Sequence, residues 1–176
     1  KLTEAIEAYN KALSIKPDYA EALTNMGVVL TDQRKLTEAI EAYKKALSIK
    51  PDLPEALTNM GAILQEQGKL EKAIEAYNKA IEIEPDKVET HHNIGIILQK
   101  QGKHEEAVEA YNKAIEIKPD KAETHYNIGA ILQKQGKLEE AIEAYTKAIK
   151  IKPDKAETHY NIGAILHKQG KLEEAI

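Results

Sequence analysis

Cysteine, tryptophan and phenylalanine are all missing from this chain. Disulfides, thiolate metal sites and a cysteine nucleophile are therefore excluded, although the absence does not fix a compartment. An excess of either charge is lacking as well: 25 Lys and Arg stand against 29 Asp and Glu, the net charge is −4, and both signs are mixed along the whole length. A nucleic-acid binder would need a basic face that this balance does not supply. Long apolar runs are also missing. The stretch 94–98, interrupted by Gly95, is far shorter than the ~20 apolar residues of a spanning helix. No charged-then-apolar leader stands at Lys1, so the expected location is the cytoplasm and the expected partners include neither membrane nor nucleic acid. Serine is nearly absent too. Ser14 and Ser48 have no base at a repeated spacing, and the glycines do not form a phosphate loop between a strand and a helix. No enzyme activity and no cofactor are expected.

What the chain does have is repetition. Lys1-Leu2, Lys35-Leu36, Lys69-Leu70, Lys137-Leu138 and Lys171-Leu172 fall in one phase of a 34-residue period, as do the Pro-Asp pairs at Pro17, Pro51, Pro85, Pro119 and Pro153. Hydrophobic residues make up 42% of the 176 positions and recur at fixed spacing, which argues against disorder. A period of this length predicts stacked supersecondary units, none able to bury its apolar face alone.

Residues 120–153 illustrate the unit. Asp120 followed by Glu123 has the spacing of a capping box, repeated at Asp18 and Glu21, Asp52 and Glu55, Asp86 and Glu89, and Asp154 and Glu157. A first helix is predicted to start there and to end at Gly136, a residue suited to the left-handed conformation of a helix C-terminus. Ala141, Ile142, Tyr145, Ala148 and Ile149 then recur at helical spacing and predict a second helix from Leu138 to Ile151, stopped by Pro153. Arg34 stands where the other units have Gly68, Gly102, Gly136 and Gly170. A left-handed backbone at that position would cost arginine roughly 1 kcal/mol and weaken the first hairpin.

Several columns carry a family likeness: Gly27, Gly61, Gly95, Gly129 and Gly163; Ala39, Ala73, Ala107 and Ala141; Tyr43, Tyr77, Tyr111 and Tyr145; Ala46, Ala80, Ala114 and Ala148; and the prolines. In these the chain resembles a run of tetratricopeptide repeats. The resemblance implies an all-α solenoid of stacked antiparallel helix hairpins wound into a right-handed superhelix. It divides a single array over 1–176 into a second helix at 1–19, complete repeats at 20–53, 54–87, 88–121 and 122–155, and a partial repeat at 156–176. One column departs from the family, holding Leu23, Leu57, His91, His125 and His159 where a large aromatic is favoured. These histidines are expected to pack with one ring nitrogen hydrogen-bonded. No metal site is expected, because the adjacent His91 and His92 point about 100° apart on a helix.

The resemblance also implies that one side of the first helices lines a concave surface that binds extended peptides or partner domains. The candidate residues lie there. Asn25, Asn59, Asn93, Asn127 and Asn161 form an unbroken column, although asparagine is a mediocre helix former. Two readings stay open: a ladder of amides facing a ligand backbone, or hydrogen bonds within and between hairpins. The column is similar to the asparagine ladder in the repeat arm of protein O-linked N-acetylglucosamine transferases and their bacterial relatives. Beside it, Thr24 and Thr58 give way to His92, Tyr126 and Tyr160, while Asp32 and Glu66 give way to Lys100, Lys134 and Lys168. Gln99 and Gln133 complete the candidate set. This drift predicts a surface that is acidic at one end and basic at the other, able to orient a ligand with an acidic part. The basic and asparagine positions of the carboxylate-clamp variety are absent, since the latter column holds Val28, Ala62, Ile96, Ala130 and Ala164.

Three functions remain in play: a non-catalytic scaffold binding a protein or peptide segment, the recognition arm of a larger enzyme such as a glycosyltransferase, and a module that self-associates end to end.

Overall fold

The computed structural model describes residues 1–170, and among these the chain forms ten α-helices and no strand. They are α1 (Leu2–Ile15), α2 (Ala20–Asp32), α3 (Leu36–Ile49), α4 (Pro54–Glu66), α5 (Leu70–Ile83), α6 (Val88–Lys100), α7 (His104–Ile117), α8 (Ala122–Lys134), α9 (Leu138–Ile151) and α10 (Ala156–Lys168). The all-α hairpin architecture is the one the repeat predicts. The second helix expected from Lys171-Leu172 to Ile176 lies outside the described residues. The chain forms two compact units, Lys1–Thr90 and His91–Ile176, with the division inside α6. In the first unit α2 packs on α3 and α4 on α5, with α3 also against α4; in the second, α8 packs on α9 and α7.

Each hairpin is closed by a tyrosine ring laid on a glycine. A Cβ placed on Gly27 would lie 2.6 Å from the Tyr43 ring, and one on Gly129 would lie 2.7 Å from the Tyr145 ring. Gly61 and Tyr77, and Gly95 and Tyr111, repeat the arrangement. All four tyrosines are fully buried, as are Ala39, Ala73, Ala107 and Ala141, so the small-residue columns let the helix axes approach while the ring fills the space between them.

Helix ends follow the repeat only in part. At the C-terminus of α8, Gly136 has φ 77° and two backbone bonds close the end, Gly136 N–H to Gln133 O and Lys137 N–H to Leu132 O. Arg34 adopts the same left-handed conformation, φ 61°, and its side chain reaches across to Glu66. At α2, α4, α8 and α10 the capping boxes do not form. α2, α4, α8 and α10 start two residues after each aspartate, with Tyr19, Leu53, Lys121 and Lys155 as N-caps and no side-chain cap bond. The aspartate therefore sits outside the N-cap position, and backbone bonds such as Thr124 N–H to Lys121 O close the first turn instead.

The histidine column follows the expected packing in part, since His159 is exposed. His91 and His125 are buried, His125 Nε2 meets Pro119 O at 2.8 Å, and His159 Nε2 meets Pro153 O at 2.9 Å. The His125 and His159 rings each tie a first helix to the proline turn before it.

Two substitutions test this construction. Gly129→Ala gains helix propensity of about 1 kcal/mol but overpacks Tyr145 by about 1–3 kcal/mol, so a net loss of ~1 kcal/mol is expected in urea denaturation. An unchanged midpoint would show that the ring can move aside. Arg34→Gly relieves the left-handed cost of ~1 kcal/mol and gives up only an exposed ion pair, so it should raise Tm.

Candidate functional site

The site is built outward from the buried tyrosine hydroxyls. Tyr77 Oη donates to Gln65 Oε1 at 3.1 Å, Tyr111 Oη to Gln99 Oε1 at 2.9 Å and Tyr145 Oη to Gln133 Oε1 at 2.7 Å. The oxygen in turn accepts from the next first helix: Asn127 Nδ2 donates to Tyr111 Oη at 3.3 Å, and Asn161 Nδ2 to Tyr145 Oη at 3.4 Å and to Tyr126 Oη at 3.3 Å. Burial is the main cause that pushes Tyr111 well above its ordinary value, against the lowering effect of Asn127. Burial likewise pushes Tyr145 up to about 12, helped by Tyr126 and opposed by Asn161.

At Asn127 and Asn161 the structure contains the hydrogen bonds between hairpins of the second reading. In Asn127 and Asn161 the amide nitrogen turns inward to the tyrosines, which leaves the carboxamide oxygen as the group a ligand can use. Asn59 and Asn93 are half-buried and Asn25 is exposed. Gln99 and Gln133 are also half-buried, and their carboxamide oxygens are engaged by Tyr111 and Tyr145, so they support the surface more than they present it.

One candidate is not on the surface. His92 is only 3% exposed; its Nδ1 lies 2.9 Å from Thr124 Oγ1, and its Nε2 lies 3.8 Å from a Glu123 carboxylate oxygen. A ring at this column reaches the following first helix, and His92 is short enough to be enclosed there. Tyr126, one repeat on, is half-buried: the Lys155 ammonium sits 3.7 Å from its ring centroid and the Tyr145 ring packs against it at 5.5 Å. Burial, followed by the Glu157 carboxylate, raises its pKa. Tyr160 is 75% exposed, and Lys100, Lys134 and Lys168 are exposed.

Two pockets occupy the same columns, one in each unit. The first unit has a pocket of about 250 Å³ lined by Val28, Thr31, Asp32, Tyr43, Asn59, Ala62, Ile63 and Glu66. The second has one of about 390 Å³ lined by Ala130, Gln133, Lys134, Tyr145, Asn161, Ala164, Ile165 and Lys168, with Leu138 besides. Position by position the two sets are three repeats apart. Tyr, Asn, Ala and Ile recur in both, Ala130 and Gln133 replace Val28 and Thr31, and the rim changes from Asp32 and Glu66 to Lys134 and Lys168. The predicted charge drift is thus carried by equivalent pockets.

A larger groove went unnoticed in the sequence. Ile40, Leu47, Leu57, Met60 and Leu64 line about 700 Å³ between α3, α4 and α5, with Lys44, Lys72 and Lys79 around it. None of its residues belongs to the candidate columns. Among the described residues there is no cluster able to hold a metal ion and no helix long and apolar enough to cross a membrane.

Comparison with known proteins agrees with this architecture. Family models described as tetratricopeptide repeat match residues 18–84, 52–120 and 110–143, and one described as TPR repeat matches 1–33 and 131–170. The chain belongs to the tetratricopeptide repeat family. No curated protein sequence matches it. Among solved structures it is similar to MamA, at 29% identity over 89% of this chain and 91% of that one, with a TM-score of 0.82. It shares the fold of YrrB, described as "a TPR protein with an unusual peptide-binding site", at 22% identity over 97% and 88% of the two chains and a TM-score of 0.83. PilF of Pseudomonas aeruginosa has the same fold, at 21% identity over 99% and 88% and a TM-score of 0.84.

The buried phenols predict alkaline lability. Their folded pKa values lie above the ordinary 10.0, so above that pH the unfolded chain has lost protons the folded chain still holds. This contribution to stability is complete below pH 10.0 and is lost as pH rises through the folded values, about 12 for Tyr145. Denaturation midpoints should fall across that window, with tyrosinate absorbance appearing together with unfolding.

Proposed function

We propose that the chain is a non-catalytic protein-interaction scaffold that binds an extended peptide segment along the faces of its first helices. The observation that carries this reading is the recurrence of one pocket design in both units with the charge of its rim reversed. Each pocket is lined by one asparagine of the column, Asn59 or Asn161, whose carboxamide oxygen can accept a backbone N–H group from a peptide of any sequence. In this respect the column acts as a ladder of the kind its resemblance to O-linked N-acetylglucosamine transferase arms implies. Sequence preference comes from the rim. Lys134 and Lys168, with no ion-pair partner among the described residues, favour an acidic side chain over the pocket of the second unit.

The experiment is binding of short extended Ala/Ser peptides with a central Glu, followed by fluorescence anisotropy. Lys134→Glu with Lys168→Glu should weaken binding about tenfold or more and reduce its salt dependence, while helix content stays unchanged. Unaltered affinity in the double variant would remove the second-unit pocket as a binding site.

A further inference from the structure

The groove of about 700 Å³ in the first unit lies apart from the candidate face. At about 100° per residue, Leu57, Met60 and Leu64 fall on one side of α4, whereas Asn59, Ala62 and Glu66 fall on the other. Both α3 and α5 pack on α4, so these three side chains floor a trough between two second helices. The α5 wall runs through Lys72, Ala76, Lys79 and Ile83, one helix face about 16 Å long.

The same trough recurs one repeat earlier, over Met26 and Leu30, and two repeats later, over Ile128 and Leu132. It is smaller there, about 320 and 240 Å³, and two glutamates face one lysine in each: Glu38 and Glu41 with Lys45, Glu140 and Glu143 with Lys147. At the large trough two columns change to lysine together. Lys44 replaces Asn10 and Asn112, and Lys72 replaces Glu38 and Glu140. With Lys69 and Lys79 they outnumber Glu75 and Glu82, although the chain as a whole carries a net charge of −4. Lys72 and Lys79 form no ion pair among the described residues, and the 3.2 Å contact of Lys44 with Glu41 is an exposed pair of little worth.

We propose that this trough docks an acidic amphipathic helix of a partner protein, its apolar face on Leu57, Met60 and Leu64 and its carboxylates against the lysines of both walls. The lining holds no amide or hydroxyl side chain among the described residues. An extended segment would therefore bury backbone N–H groups over a floor that cannot accept them, whereas a helix satisfies its backbone internally. Lys72 and Lys79 stand about two turns apart on one wall and Lys44 stands on the other. That spread suits carboxylates repeated along a helix, not a single anionic head group. Met60 is half-buried, and its flexible thioether can adapt to the side chains it meets. This surface goes beyond the peptide-binding reading, because it uses the opposite side of α4.

Met26 and Met60 are the 2 methionines of the chain, and each floors one trough, so methionine-methyl NMR of the whole 176-residue chain contains its own control. The probe is a helical peptide of about four turns with Leu at i, i+3, i+4 and i+7, Glu on the flanking positions and Ala elsewhere. One control peptide carries Lys for Glu, and another has a central Pro that breaks the helix. The Glu helix should shift Met60 but not Met26, and bind at least about tenfold tighter than either control. Lys44→Asn with Lys72→Glu restores the residues of the neighbouring troughs, so Tm should hold while affinity falls at least about tenfold. Equal response to the Glu and Lys helices, equal shifts of both methionines, no shift, or undiminished binding by the double variant would each overturn the proposal. A Met60 signal that moves with chain concentration before peptide is added, with a doubled mass in sedimentation, would assign the trough to a second copy and overturn it too. None of these outcomes bears on the first-helix pockets, which are tested at Lys134 and Lys168.

Discussion

The apposition of a tyrosine ring to a glycine is the constraint on which the rest of the structure depends. Without a side chain at Gly129 the ring of Tyr145 can lie directly on the backbone of α8, and only that close approach lets Ala141 and Ala148 bury completely in the same hairpin. The ring then delivers its hydroxyl to the one place where a first helix can satisfy it. A fully buried phenol must find partners. For Tyr111 and Tyr145 the glutamine of the same hairpin and the asparagine of the next supply them, so one packing decision bears on two further columns.

That chain of dependence explains why some columns hold a single residue type and others do not. Asn127 and Asn161 are held by the tyrosines behind them as much as by anything in front. Rim positions carry no such obligation. Asp32 and Lys134 both sit exposed at corresponding places near the ends of first helices, and α2 and α8 are equally long.

The fold was legible in the sequence because period, capping glycine and proline all report local backbone chemistry. The start of α9 at Leu138 and its end at Ile151 coincide with the pattern of apolar spacings and the proline stop. The aspartate caps were misplaced because a carboxylate three residues before a glutamate fits a capping box only if the helix starts at once, and here it starts two residues later. Site residues were harder to place. A column names which residues share a helix face, but not how far each side chain reaches; His92 and Tyr126 share a column, yet one is enclosed and the other half open.

The pockets mark the boundary between what the fold demands and what it leaves open. In the hairpins of Tyr77, Tyr111 and Tyr145 the tyrosine hydroxyl and its glutamine have an internal reason to be where they are. Beyond them, Lys134 and Lys168 satisfy no buried group, and neither does Asp32. Two like charges set at one pocket mouth repel each other and gain nothing from solvent that separated charges would not also gain. An opposite charge arriving from outside removes that repulsion, and the uncharged floor of Asn, Ala and Ile beneath it adds contact area at no electrostatic cost. The fold therefore accounts for the pocket and leaves the sign of its rim free.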